Sequence, residues 1–254
     1  MKKTRTIKPL LIKISFAIAW ILIWQFVAMI INNSLVLVAP LQVLSALGDM
    51  VGQNTFWQSI WGSFNRIALG FLLAAIAAII FSILSYKIKF VKEFLSPPMT
   101  VFRTVPVASF VILLLIALQS KENLSTIICF MMALPILYTN TLAGLESIDN
   151  KILDMAKVFR VKPHKRFTYL YTYQALPYFS TGCKIALGLC WKSGVAAELI
   201  GLVQGTIGNE LYFARLFLMM DKVFAWTVVI VLISVLFELL IMGSLRLLKR
   251  RLEK

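Results

Sequence analysis

Runs of about twenty apolar residues constrain this chain of 254 residues more than any other feature, and 60% of its residues are hydrophobic. A helix needs about 20 consecutive apolar residues to cross the hydrocarbon core of a bilayer. Because that core offers no hydrogen-bond partners, the backbone of such a run can satisfy itself only within an α-helix or a closed barrel. The alternating pattern of about 10 residues that marks a barrel strand is absent. The sequence therefore predicts an all-α integral membrane protein.

Six apolar runs predict six transmembrane helices. They extend over residues 14–31, 67–85, 99–118, 124–145, 178–200 and 223–245. The third run contains Arg103 and Pro106, and Pro106 is expected to kink its helix or delay its start, because proline removes one backbone hydrogen bond. Most of the 26 Lys and Arg residues fall on one side of the predicted membrane. The positive-inside rule then places the N- and C-termini in the cytoplasm.

Residues 1–62 are predicted to form an N-terminal anchor helix and an external surface helix. Basic residues precede the first apolar run, which is longer than the roughly 7–15 apolar residues of a signal peptide, so we expect an uncleaved helix; they are Lys2, Lys3, Arg5, Lys8 and Lys13. The segment 40–51 carries apolar residues at helical spacing, which predicts a short helix on the outer surface; they are Leu41, Leu44, Leu47 and Val51. Residues 63–254 then form a core of five transmembrane helices with a cytoplasmic loop at about 146–177.

The composition excludes several kinds of function. The net charge of +15 is concentrated at helix ends on one side, which argues against nucleic-acid binding. The cysteines lie in apolar runs without metal-ligand spacing and are expected to pack as small hydrophobic residues; they are Cys129, Cys183 and Cys190. We therefore expect no metal, no cofactor and no catalytic residues. No G-x-x-x-x-G-K-[ST] motif occurs, so a nucleotide-binding P-loop would have to belong to another chain.

The cationic segment 153–177 is the most distinctive motif. It resembles the cytoplasmic EAA loop of binding-protein-dependent ABC-importer permeases, E-A-A-x-x-x-G, nine residues, then I-x-L-P. Asp154 stands at the Glu position, Ala156 at the second Ala and Leu170 at the Ile. The segment departs from the pattern at Met155, at Arg160 in place of Gly, and at 172–173 in place of Leu-Pro. Arginine adopts a positive φ only at an energetic cost, so Arg160 puts in question the turn that the glycine of the pattern would form.

Further motifs extend the resemblance from about residue 63 to the C-terminus, and their order is most similar to the nitrate, taurine and aliphatic-sulfonate branch of the family. They are SFNRIALGF, FRTVPV, LPILYTNTLAGLESID and GCKIALGLCW followed by AAELIG. The resemblance implies a type I ABC importer permease fold and a homodimer. It also implies a pair of cytoplasmic ATPase subunits and an extracytoplasmic solute-binding protein. The chain itself would be a non-catalytic translocation subunit in a bacterial inner membrane.

In such a permease the loop enters a groove of each ATPase as a coupling helix. The residues that match this role are Asp154, Ala156, Lys157, Phe159, Arg160 and Val161. In a helix, Leu153 and Ala156 share one face with Phe159 or Arg160, while Asp154, Lys157 and Val161 occupy another. The alternative is a basic loop that is solvated or bound to anionic lipid.

The fifth apolar run carries three charges. A charge near the bilayer centre costs about 2.5–3.5 kcal/mol on insertion scales, so these groups should face protein or water. We expect Lys192, with Gly188 one turn before it and Glu198 beyond it, to line a pathway for an anionic solute. The alternative is a structural ion pair of Lys192 with Glu198 or another helix. Near the inner end of the spans, Arg103 and Glu238 are expected to pair with each other or with Lys184.

Two other functions stay open from the residues alone. An ion-gradient-driven secondary transporter usually shows inverted repeats with broken helices, and no convincing internal repeat is present. A membrane-embedded enzyme needs a catalytic set at helical spacing within the bilayer, and none is evident. Neither alternative uses the cationic loop.

Overall fold

The computed structural model describes residues 7–118 and 120–252, and all regular structure in these residues is helical. Lys2, Lys3 and Arg5, which support the predicted orientation of the N-terminus, lie outside the described residues. The helices are α1 (Ile7–Ile31), α2 (Pro40–Val51), α3 (Asn54–Lys87), α4 (Lys89–Thr104), α5 (Val107–Ala117), α6 (Leu124–Glu146), α7 (Asn150–Val158), α8 (Pro163–Arg166), α9 (Tyr173–Gly201), α10 (Ile207–Leu216) and α11 (Met220–Leu252), with a π-helical turn at Phe167–Thr172 between α8 and α9.

Three of the described helices, α3, α6 and α11, are long and apolar enough to cross a membrane, and the bent pair α4–α5 makes a fourth if it is one span. Helix α1 is apolar over the shorter stretch Ser15–Ile31. Helix α9 is long enough but carries Lys184, Lys192 and Glu198. The integral membrane class is thus supported, and the count of six spans stays a prediction.

The predicted third span consists of two helices. Helix α4 begins at Lys89, earlier than the predicted start at residue 99, and it makes an angle of 105° with α5. Pro106 explains the break, because it cannot donate a backbone hydrogen bond and forces an extended conformation on Val105, whose ψ is 131°. The expected kink at Pro106 is confirmed, and it is sharp enough to divide the predicted span into two helices; we call this break the elbow.

The helices before this elbow also differ in detail from the prediction. Helix α3 begins at Asn54, before the predicted start at residue 67, because no proline interrupts the segment between them. The short helix α2 is confirmed. Its buried side is formed by Val43, Ala46 and Met50. Of the leucines used to predict it, Leu41 and Leu44 are exposed and Leu47 is half-buried.

Helix α9 is the centre of the bundle and packs against α3, α5, α6, α10 and α11, while α3 also packs along α6. Glycines allow this close approach, as in other membrane helices. A Cβ added to Gly70 would lie 2.4 Å from the Thr126 carbonyl oxygen, and one added to Gly194 would lie 2.7 Å from Ile67. Larger residues at these two positions would separate the central helices.

The bundle has two ends, which we name from the segments found there. The loop end carries the C-termini of α3, α6 and α11, the N-terminus of α9 and the segment 147–172 that joins α6 to α9. The α10 end carries helix α10, the C-terminus of α9 and the N-termini of α3, α6 and α11. Helix α2 lies at this second end, where it contacts α3 and α11.

Candidate functional site

The segment with the EAA-like motif folds as a short helix that projects from the loop end. Helix α7 begins at an N-cap, Asp149, whose Oδ1 accepts a hydrogen bond of 2.8 Å from the Lys151 N–H. The chain then turns through residues 159–162 and enters α8, the π-helical turn and α9 without interruption. Among the described helices, α7 has no extensive contact with any other.

The turn after α7 forms although arginine replaces the expected glycine. Arg160 has a φ of 46°, which is the left-handed conformation that glycine usually provides at the end of a helix. The N–H of Val161 donates a hydrogen bond of 3.0 Å to the Ala156 carbonyl oxygen and closes the turn. The turn geometry that the missing glycine put in question is therefore retained.

Helix α7 has one protected side and one apolar side that faces outward. Ala156 is buried and Leu153 is half-buried. Phe159 does not share their environment: it is 74% exposed and, with Ile152 and Met155, forms an exposed apolar face that we call the α7 face. The prediction allowed either Phe159 or Arg160 on the face of Leu153 and Ala156, and Phe159 does not share their environment.

The charged side of α7 is separate from this face. Lys157 Nζ lies 2.8 Å from Asp154 Oδ1, and both side chains are more than 60% exposed. An exposed pair of this kind contributes little to stability. Asp154 and Lys157 are thus brought together, whereas Val161 is half-buried beyond the turn.

The middle of helix α9, residues 182–199, is mostly buried and leaves one narrow stripe uncovered. Lys184, Ile185, Gly188 and Lys192 follow one another on this stripe at helical spacing. A Cβ added to Gly188 would meet no atom within 4 Å, so open space adjoins the helix there. We call this surface the α9 stripe.

The two lysines of the stripe differ in their partners. Lys184 Nζ lies 3.9 Å from Glu238 Oε1 of α11, so the expected pairing with Glu238 is formed. Arg103 instead donates hydrogen bonds to the Pro135 carbonyl oxygen at 2.9 Å and to Thr139 Oγ1 at 2.6 Å. Within the described residues, no carboxylate forms an ion pair with Lys192.

Glu198 lies apart from the stripe, in the interior of the α10 end. Its side chain is fully buried, and its Oε2 accepts a hydrogen bond of 2.6 Å from Ser63 Oγ and one of 3.3 Å from the Gly208 N–H. Ser63 Oγ in turn accepts a hydrogen bond of 2.9 Å from the Ile207 N–H. The carboxylate therefore holds the first turn of α10 against α3 and α9, where the positive end of the helix dipole favours it.

Sequence reasoning missed Ser63 and the N-terminus of α10 as partners of Glu198. The available signal was indirect: a carboxylate in an apolar helix needs a polar partner, and Ser63 opens the motif SFNRIALGF. In the described part of the chain, no cluster of three or more His, Cys, Asp or Glu residues is placed to hold a metal ion.

Comparisons with known proteins show which family the chain belongs to. The family described as binding-protein-dependent transport system inner membrane component matches residues 70–254. A candidate aliphatic sulfonates transport permease protein of Bacillus subtilis (strain 168) is 28% identical over 235 residues, covering 92% of this chain and 83% of that protein.

Two further relatives have the same character. A nitrate import permease protein of Synechocystis sp. is 29% identical over 203 residues, covering 76% of this chain and 73% of that protein. A taurine transport system permease protein of Escherichia coli (strain K12) is 29% identical over 234 residues, covering 90% of this chain and 83% of that protein. The chain therefore belongs to the family of binding-protein-dependent transport system inner membrane components, and within it to the nitrate, taurine and aliphatic-sulfonate branch of ABC transporter permeases.

Proposed function

We propose that this chain is the translocation subunit of an ATP-driven importer that moves a small anion into the cell. Two copies form the transmembrane pathway, separate cytoplasmic subunits hydrolyse ATP, and an extracytoplasmic protein delivers the solute. The chain itself performs no chemistry. Residues 1–62 serve as an anchor and surface helix, and residues 63–254 form the translocation core.

The α7 face is the observation that carries this proposal. Three large apolar side chains at the tip of the loop end are costly to expose to water, and an exposed apolar face of this kind marks an interaction site. The helix is joined through α8 and the π-helical turn to α9, the central helix of the bundle. A partner that grips α7 can therefore displace α9 as a rigid element, which is the kind of transmission that alternating access requires.

The proposed orientation places the loop end in the cytoplasm. The segment 147–172 and the end of α11 are rich in lysine and arginine, in keeping with the positive-inside rule. Helices α1, α3, α6, α9, α11 and the pair α4–α5 are then the six spans, with both termini on the cytoplasmic side. The α10 end faces the solute-binding protein.

The α9 stripe is the proposed pathway. In a homodimer with two-fold symmetry the two stripes would face each other, and Gly188 would leave room between them. Lys192 has no carboxylate partner in the described residues, so the paired ammonium groups would attract an anion. Nitrate, taurine and sulfonates, which appear in the names of the relatives, each carry an oxyanion group. We do not include Glu198 in this pathway, because it is fully buried and its Oε2 accepts hydrogen bonds from Ser63 and Gly208 in the interior.

Reconstitution tests the proposal. The chain would be placed in proteoliposomes with the ATPase and the solute-binding protein encoded beside it, and uptake of labelled nitrate, taurine and an alkanesulfonate would be measured. We expect uptake of one of these that requires ATP on the side of the loop end. Uptake by the chain alone, driven by an ion gradient, would contradict the importer assignment. ATPase stimulation by the loaded binding protein without uptake of any anion would contradict only the solute class.

A further inference from the structure

The loop end contains an apolar groove that the transport function does not use. It is a cavity of about 150 Å³ between the last turns of the long helices and the π-helical turn. Its walls include Ile79 and Ile83 of α3, Leu145 of α6, Leu176 of α9 and Leu248 of α11. Tyr171 and Thr172 of the π-helical turn also line it. We call it the loop-end groove.

A second depression continues this groove toward basic residues. Its volume is about 210 Å³, and it shares Leu176 and Leu245 with the loop-end groove. Its other wall carries Arg246 and Lys249 of α11. Within the described residues, no carboxylate forms an ion pair with Arg246.

A further basic residue of the loop end is adjacent in sequence to a residue that lines the groove. Arg166 directly precedes Phe167, which lines the groove, and its Nε is buried without a hydrogen-bond partner in the described residues.

The chemistry of the two depressions matches one kind of molecule. The loop-end groove is lined almost entirely by apolar side chains, which favour contact with apolar groups over water, and its side walls include residues near the ends of α3 and α11. Basic residues at the end of such helices attract acidic headgroups. We propose that an anionic phospholipid binds here, with part of an acyl chain in the loop-end groove and its phosphate beside Arg246 and Lys249.

The site has a consequence for transport that rests on the proposed function. The acyl chain would contact the π-helical turn, which joins the α7 helix to α9. Turns of this type are rare and frequently occur at functional sites. A bound lipid would brace the turn so that a displacement of α7 reaches α9, and coupling would then depend on the acidic lipid content of the membrane.

Lipid binding is measured on the purified full-length chain alone, so that its outcome is independent of the transport assay. Native mass spectrometry would compare retention of phosphatidylglycerol and phosphatidylcholine with the same acyl chains. We expect one phosphatidylglycerol per chain, retained several-fold better than phosphatidylcholine. Equal retention of the two lipids by the unaltered chain would overturn the proposal.

Two matched pairs of variants locate the lipid. Arg246→Gln should weaken phosphatidylglycerol retention about fivefold, the size expected for one basic residue at an acidic membrane surface, whereas Arg251→Gln, in the same tail but outside the groove, should not. Ile79→Trp should fill the groove and expel the lipid, whereas Ile80→Trp, at the next residue, which does not line the groove, should not.

Each contrary result is decisive. Equal loss in both arginine variants would show a general effect of charge, and unchanged retention in Ile79→Trp would show that the groove is empty of lipid. Loss of the dimer in Ile79→Trp with lipid retention intact would show that a second copy covers the groove. Should Ile79→Trp fail to fold, the arginine pair, which leaves the apolar wall intact, decides the question.

Discussion

Replacing Phe159 by alanine should weaken the grip of the ATPase on this permease without disturbing the membrane bundle. The phenyl ring is 74% exposed at the end of α7 and has no extensive contact with the spans. Its removal therefore leaves no cavity in the core. The ring is the largest side chain of the α7 face, and aromatic anchors usually dominate the energy of an interface.

The structure sets the size of the effect. Full burial of a phenylalanine side chain is worth about 1.5–3 kcal/mol, and 74% of the ring is still available to be buried by a partner. Docking would thus recover about 1.1–2.2 kcal/mol from this ring alone. Because about 1.4 kcal/mol is a factor of ten, Phe159→Ala should weaken ATPase association about 6- to 40-fold.

The assay is binding of the purified ATPase to the permease in nanodiscs, with Phe90→Ala as the control. Phe90 is 75% exposed, also at the loop end, and lies on α4, outside the α7 face. The control should bind the ATPase as the unaltered chain does. Equal affinity of Phe159→Ala and the unaltered chain, or equal losses in the two variants, would refute the assignment of the α7 face as the docking surface.

Three further substitutions test other parts of the molecule. Lys192→Met should abolish anion uptake while basal ATP hydrolysis and assembly survive, and Lys192→Arg should restore part of it; unchanged uptake in Lys192→Met would rule out the pathway role. Arg160→Gly should preserve the turn after α7, because glycine adopts the left-handed conformation of this position without the cost of about 1–2 kcal/mol that other residues bear. Arg160→Val should disturb the turn and reduce ATPase binding. Equal ATPase binding by the two variants would show that the turn is unimportant. Glu198→Ala should lower the free energy of unfolding in detergent by about 3 kcal/mol, because it leaves the buried Ser63 hydroxyl and the Gly208 N–H without their acceptor; an unchanged unfolding curve would contradict this.

The helical class and the loop could be predicted because each depends on local sequence. An apolar run within a bilayer has no alternative to a helix, and the elbow at Pro106 follows from the chemistry of proline. The EAA-like motif indicated the exposed helix although the segment departs from the family pattern at four positions, 155, 160, 172 and 173. The left-handed residue, Arg160, lies at the position where the family pattern has glycine. The segment as a whole, and not glycine alone, therefore determines the turn.

The parts that could not be predicted depend on distant contacts or on helix ends. Ser63 and Glu198 are 135 residues apart in sequence, so no periodicity relates them, and Glu198 was grouped with Lys192 because both lie in α9. Phe159 follows the last residue of α7, where helical spacing no longer fixes the direction of a side chain. Apolar content alone predicts a start of α3 at residue 67, which is too late, because the more polar segment before it contains no proline and continues the helix back to Asn54.

The hydrogen bonds of the Glu198 carboxylate have a practical meaning for watching this protein work. They fasten α10 to the central helix α9, so α10 must move with the end of α9. In the proposed homodimer, a spin label at Leu216 of each subunit, a residue that is 57% exposed, would report this movement as a change in the distance between the two labels. The conformational cycle could then be followed with labels outside the proposed solute pathway, so that no residue of that pathway is changed.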